Sequence, residues 1–137
     1  MANSNTYMVV VGFMHYVNDC IDLYTKLADN WKNVGDTVAA NERMEKAIAY
    51  GIIRDDIDAI VHKHYPYVRI IDMLESESFV WSIDEVIAKR IDYVFSYGYA
   101  YVMRSRRLRA HYHALTCAYE QLQTYCNIYK VFNGNMH

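Results

Sequence analysis

Proline, cysteine and glycine are scarce in this sequence. It contains one proline, Pro66, three cysteines and five glycines. It has no glycine-rich phosphate loop and no nucleophile elbow, which are the common signatures of nucleotide binding and of serine hydrolases. The cysteines, Cys20, Cys117 and Cys126, form no C-x-x-C pair, which argues against a zinc knuckle or a dithiol redox motif. We expect buried, reduced thiols, and we predict no cofactor.

Long apolar runs and an excess of basic charge are also missing. The apolar stretch from Tyr7 to Met14 is far shorter than the roughly 20 residues that span a bilayer, and no basic residue precedes it. We therefore expect neither a signal peptide nor a membrane helix, and we expect a cytoplasmic protein. The formal net charge of -2 lacks the basic excess of a typical nucleic-acid binder.

Tyrosine, by contrast, is abundant, with 14 in 137 residues. A chain of this length is enough for one folded unit, so we expect residues 1–137 to form a single all-α domain. Tyrosine packs like an apolar residue, but its hydroxyl needs a partner, so it favours core edges and interfaces. The tyrosine-rich composition therefore favours a binding surface.

Apolar residues spaced three and four apart predict a bundle of about five helices. Their expected spans are approximately 5–32, 37–50, 54–64, 67–74 and 83–131. We expect Gly51 to end the second helix, as a glycine does at a helix C-terminus. Ser82-x-x-Glu85 predicts a capping box at the start of the last helix, with Phe79 to Trp81 folding back onto it as a hydrophobic staple.

The predicted last helix carries a heptad pattern of apolar residues, like the seam of a coiled coil. The part that we assign to an oligomer seam consists of Leu108, Tyr112, Leu115, Tyr119 and Leu122. A continuous helix here would be about 70 Å long, whereas a compact chain of this size has a radius of gyration near 14 Å. The helix must therefore bend, around Gly98 to Ser105, or pair with another chain. The two outcomes can coexist, and we expect a homo-oligomer.

A cluster of basic residues lies near the middle of this segment. It consists of Arg104, Arg106, Arg107 and Arg109, followed by His111 and His113. Arginine grips carboxylates and phosphates through its planar guanidinium. The cluster could dock an acidic protein surface or a nucleic-acid backbone, or it could be a solvated face that pairs with acidic residues of the same chain. The negative net charge favours the acidic protein partner.

Tyr93, Tyr97 and Tyr101 precede this cluster and step by four. On a helix they would share one face and offer an aromatic platform for nucleic-acid bases or for a partner helix. The alternative is that they pack at the edge of the core. If they form a platform, it belongs to the same binding surface as the arginines.

Arg106 and His111, beside Tyr112, form an R-x4-H pair. This pair resembles the signature of the HEPN family of all-α ribonucleases. In that family the arginine and histidine of two protomers meet across a dimer and act on RNA. The family favours a polar residue directly after the arginine, where this sequence has Arg107. The resemblance implies an alternative function as an RNA-binding or RNA-cleaving dimer.

Asp55, Asp58 and His62 share one helical face, as a metal site in a helical bundle would require. The Glu-x-x-His pattern of such sites is absent from the sequence, so we predict no metal site.

These patterns indicate a protein that binds another macromolecule without catalysing a reaction. A small helical domain that is rich in tyrosine and has no catalytic motif is typical of an accessory inhibitor, such as a viral or phage protein that inhibits a host protein. A further alternative is a purely structural subunit that assembles through the seam. No membrane partner is expected.

Overall fold

A computed structural model describes residues 4–131, which fold into six α-helices. In chain order these are α1 (Ser4–Asn33), α2 (Thr37–His64), α3 (Ile70–Leu74), α4 (Glu77–Phe95), α5 (Tyr99–Arg104) and α6 (Arg106–Tyr129). The predicted all-α bundle is confirmed, with six helices in this part of the chain rather than about five.

A tight turn joins α1 to α2. Gly35 adopts a φ of 84°, a conformation that suits glycine. Asp36 then caps α2, because its Oδ1 accepts a hydrogen bond of 2.9 Å from the backbone N–H of Ala39. The break lies between the first two predicted helices, 5–32 and 37–50, as the sequence predicts.

The predicted end of a helix at Gly51 is wrong, because α2 continues through this residue to His64. On either side of Gly51, Ala49, Tyr50 and Ile53 are almost fully buried. Burial of this apolar face outweighs the roughly 1 kcal/mol by which glycine disfavours a helix interior. The second and third predicted helices are therefore one.

The predicted capping box at Ser82 and Glu85 is also wrong. Because α4 already begins at Glu77, Ser82 lies inside the helix, where its hydroxyl donates a 3.0 Å hydrogen bond to the carbonyl of Ser78. Phe79 and Val80 are buried core residues of α4 rather than a staple in front of it. The residue that precedes the true start is Ser76, whose side chain makes no capping hydrogen bond.

The C-terminal segment is interrupted between Gly98 and Ser105, within the range predicted for a bend. Gly98 has a φ of 90° and separates α4 from α5. Ser105 is extended and caps α6, with its Oγ accepting a 3.2 Å hydrogen bond from the N–H of Leu108. At the far end, Lys130 takes the left-handed conformation that terminates α6. A glycine after the last predicted helix, Gly134, would also suit a helix C-terminus, but it lies outside the described residues.

Helix α6 packs against α1, α2 and α4, whereas α2 and α4 contact each other far less. Its direction follows from its contacts. The pairs Asp84–Gln123 and Phe95–Tyr112 show that α4 and α6 are antiparallel. Glu45, near the start of α2, contacts His111 near the start of α6, so those two helices run in the same direction. No helix within residues 4–131 is both long enough and apolar enough to cross a membrane.

A cluster of tyrosines joins α1 to α2 inside the bundle. The hydroxyls of Tyr16 and Tyr50 are 3.0 Å apart, and the ring of Tyr24 stacks on Tyr50 at a centroid distance of 5.9 Å. Burial is the main reason that the pKa of Tyr50 lies well above its usual value of 10.0, and burial likewise raises the pKa of Tyr16. Both hydroxyls therefore stay protonated in the folded state.

We predict opposite effects for two glycine-to-alanine changes. Gly51→Ala should increase the free energy of unfolding by about 0.5 to 1 kcal/mol, because the position is helical and no described neighbouring atom lies within 4 Å of the added methyl group. Gly98→Ala should decrease it by about 1 to 3 kcal/mol, because its backbone conformation is nearly restricted to glycine. Chemical denaturation measures both, and a destabilising Gly51→Ala would contradict a continuous α2.

The tyrosine cluster predicts a loss of stability in alkali. Tyr16 and Tyr50 have raised pKa values in the folded state, so their contribution is complete below the unfolded pKa of about 10 and is lost as pH rises towards the folded pKa. Each should steepen the fall in unfolding free energy by up to about 1.4 kcal/mol per pH unit in this window.

The double variant Tyr16→Phe/Tyr50→Phe keeps most of the ring packing and removes both hydroxyls. Denaturation at a series of alkaline pH values should therefore give it the shallower pH dependence. Equal slopes for the variant and the original protein would refute the assignment.

Candidate functional site

An open cleft of about 400 Å³ lies between α2 and α4, above α6. Its floor contains the buried side chains of Ala49, Val94 and Leu115, one from each of these helices. The cleft exists because α2 and α4 both pack on α6 but hardly touch each other. The residues that line the rest of it are Ile52, Arg90, Tyr93, Tyr97, Tyr101, Ser105, Arg107, Leu108 and His111.

The predicted tyrosines form one wall of this cleft. Tyr93 and Tyr97 meet edge to face, with ring centroids 5.8 Å apart and hydroxyls 3.3 Å apart. The rings of Tyr97 and Tyr101 stack with their centroids 5.9 Å apart, on either side of the helix break at Gly98. The stack therefore bridges the turn between α4 and α5. The hydrogen bond with Tyr93 raises the pKa of Tyr97. All three tyrosines are about half exposed or more, which is unusual for large aromatic side chains that pack at a core edge.

Two polar contacts hold together the helices that form the cleft. Arg90 of α4 holds Asp56 of α2 through two parallel hydrogen bonds, of which the Nη2–Oδ1 bond is 2.8 Å long. On the other side, Nε2 of His111 lies 2.9 Å from Oε2 of Glu45. Arg107 approaches the same carboxylate only to 4.0 Å, and 75% of its side chain is exposed. Arg107 therefore remains open to a further anionic partner.

The basic cluster is divided between two roles. Arg109 turns inward, and its Nη1 donates a 3.1 Å hydrogen bond to the carbonyl of Met103 at the end of α5. Arg104 and Arg106 are exposed on either side of Ser105 and make no ion pair with any residue in the range 4–131. His113 is exposed as well. Arg104, Arg106 and Arg107 thus form the part of the cluster that faces solvent.

Two acidic residues that could neutralise the arginine cluster are engaged elsewhere. Asp56 pairs with Arg90, and Asp72 pairs with Arg69 at 2.9 Å. The carboxylate that does approach the cluster, Glu45, was not foreseen. The cluster is therefore only partly compensated by the chain's own carboxylates.

The residues assigned to the oligomer seam pack within the chain. Leu115 and Leu122 are 3% and 0% exposed, and Leu108 and Tyr119 are partly buried against the same core. Tyr112 packs edge to face on Phe95 of α4, with ring centroids 4.7 Å apart. Burial and the nearby charge of Asp84 raise the pKa of Tyr119. The heptad pattern is accounted for by contacts inside one copy, and self-association stays a prediction.

Arg106 and His111 do not meet within one protomer. Five residues apart on a helix, they are rotated by about 140° from each other. His111 faces the cleft and is 13% exposed beside Glu45, while Arg106 faces solvent. The function implied by the HEPN resemblance would require a second copy to complete the pair, so it stays a prediction.

The acidic face of α2 carries no assembled metal site. His62 directs its Nδ1 to the backbone carbonyl of Asp58, at 2.7 Å. Within residues 4–131, no three histidine, cysteine or acidic side chains are placed so that they could share an ion.

Several residues in and beside the cleft are not predicted as site residues from the sequence. Because α2 continues through Gly51, one face of this helix carries Glu45, Ala49, Ile52 and Asp56. Their spacing of three and four is a usable signal, but the assumed break at Gly51 divided it between two helices. Arg90 had no local signal, since its partner lies 34 residues away.

The cleft offers an apolar floor, an aromatic wall and an exposed guanidinium. Such groups are common in sites that recognise another molecule. Comparisons with known proteins add no family: no family model, no curated protein and no solved structure matches this chain.

We predict that Arg109 and Arg104 differ in their effect on stability. Arg109→Ala removes the hydrogen bond to Met103 and should lower the free energy of unfolding by about 1 kcal/mol. Arg104→Ala, on the exposed side of the cluster, should change it by less than about 0.5 kcal/mol. Thermal and chemical denaturation provide the measurement. Equal effects would contradict the division of the cluster.

Proposed function

We propose that this protein binds an acidic segment of another protein in the cleft and catalyses no reaction. The observation that carries the proposal is the convergence of Tyr93, Tyr97, Tyr101 and Arg107 on one concave surface with an apolar floor. Exposed tyrosine and arginine around a buried apolar centre are the composition of binding hot spots. An accessory inhibitor of a host protein would act in this way, by occupying a surface of its target.

The charges around the cleft favour a protein partner over nucleic acid. Among the basic side chains that line it, Arg90 and His111 already contact carboxylates, and Arg107 approaches one only to 4.0 Å. Nucleic-acid binding draws its affinity from several phosphate contacts at once. A short acidic segment with apolar side chains matches this arrangement better.

Self-association is part of the proposal but not its basis. An interface built on Leu115 and Leu122 would require these side chains to leave the core in which they are buried. An assembly subunit that functions only through this seam is therefore a weaker candidate than a binding protein that uses the cleft.

The proposal predicts that variants of the cleft lose a partner that variants elsewhere retain. Tyr97→Ala and Arg107→Ala should each weaken binding by about ten-fold, because each removes an exposed group that lines the cleft. The partner is captured from an extract of the host organism, purified, and titrated against each variant by calorimetry.

Two matched controls separate the cleft from the general surface. Tyr99 is 67% exposed in the same segment but does not line the cleft, so Tyr99→Ala should bind normally. Arg54 has an exposed side chain with a weak ion contact of 3.8 Å, comparable to that of Arg107, and Arg54→Ala should also bind normally. Equal loss in all four variants would refute the proposal. RNA cleavage that disappears in His111→Ala would replace it with the RNA-acting dimer.

A further inference from the structure

We infer that the segment bound in the cleft is an amphipathic helix with acidic residues along one edge. This inference rests on the proposed function and specifies the partner's chemistry. It commits to a helical protein segment, and an extended peptide, a nucleic acid or a second copy of this chain would each contradict it.

The shape of the cleft supports a helical occupant. Its walls, α2 and α4, run in opposite directions and both rest on α6, so they frame an open slot above that helix. In helical bundles such a slot is the place where another helix packs. The Arg90–Asp56 contact joins the two walls directly, so the slot is defined before anything binds. Helix-in-groove docking is a recurrent form of peptide recognition.

An apolar row on α2 extends the slot. Met44, Ile48 and Ile52 are spaced by four, so they lie along one side of the helix, and Ile52 reaches the cleft. Met44 and Ile48 are 38% and 45% exposed. This row spans about 12 Å along the helix axis. An inclined row with this spacing is the kind of ridge that packs into the groove of another helix.

The charge beside the slot that has no close partner is positive and lies on one side. Arg107 lines the cleft, and Arg104 directly precedes Ser105, which lines it too. These arginines belong to α6 and α5, whereas the apolar row belongs to α2. A bound helix with its apolar stripe on Ile52 and Leu115 would therefore present one edge to the arginines. Glutamate or aspartate on that edge would complement them.

The test uses designed peptides, so it does not depend on identifying the partner. The first is a helix of about 15 residues with leucines on one face and glutamates beside them, long enough for partial helicity. The second has the same composition with the leucines distributed evenly around the helix. The third replaces every glutamate by lysine. Each is titrated into the isotopically labelled full chain, and NMR shifts of the Ile52, Leu108 and Leu115 methyl groups report occupation of the cleft.

We expect the acidic amphipathic peptide to shift these three methyl groups and to bind about ten-fold more tightly than either control peptide. Arg107→Ala should weaken it several-fold, and Arg54→Ala should leave it unchanged. Tyr97→Phe, which keeps the ring, should bind like the original protein, whereas Tyr97→Ala should not.

Other outcomes overturn the inference. If the evenly distributed peptide binds equally well in the cleft, the acidic-partner proposal survives and the helical occupant does not. If no acidic peptide shifts the three methyl groups, the helical occupant is refuted, and the capture experiment with the cleft variants decides the broader proposal. If a single-stranded RNA shifts the three methyl signals and the peptides do not, both proposals are refuted. Shifts that depend only on protein concentration would identify a second copy as the occupant.

Discussion

Burial of α6 against three other helices is the interaction on which the rest of the structure depends. Its inward side chains, among them Leu115, Leu122 and Cys126, lie in the common core with residues of α1, α2 and α4. This arrangement requires the chain to reverse direction after α4. Gly98 and Ser105 permit the reversal, since one takes a conformation suited to glycine and the other starts the new helix. Without it, a helix of about 70 Å could not bury its apolar side in one small bundle.

Much of this fold is predictable from local patterns, and the failures share one cause. Helix type, the turn at Gly35 and the bend between Gly98 and Ser105 follow from periodicity, capping and small residues. Gly51 and Ser82 carry equally good local signals for a helix boundary, yet both lie inside helices. In both places the neighbouring residues bury large apolar side chains, and that burial outweighs a preference of about 1 kcal/mol.

In the candidate site, too, some residues are predictable from the local sequence and others are not. The tyrosine wall and Arg107 could be singled out because aromatic and basic residues cluster in the sequence itself. The carboxylates could not, since Asp56 and Glu45 meet their partners over separations of 34 and 66 residues. The separate role of Arg109 was equally hidden. It depends on where the backbone of Met103 ends its helix, which is a property of the folded chain.

The two polar contacts beside the cleft have a kinetic consequence. In the unbound protein, α4 is held to α2 by the Arg90–Asp56 contact, and α6 is held to α2 by the His111–Glu45 contact. The positions of the cleft walls are therefore fixed without a ligand between them. In the function that we propose, a ligand would meet a surface that is already formed, and binding would need no opening step. For such a surface, diffusion and electrostatic attraction set the association rate, and the lifetime of the complex carries most of the difference between good and poor ligands. Any slow phase in binding would then come from ordering of the ligand.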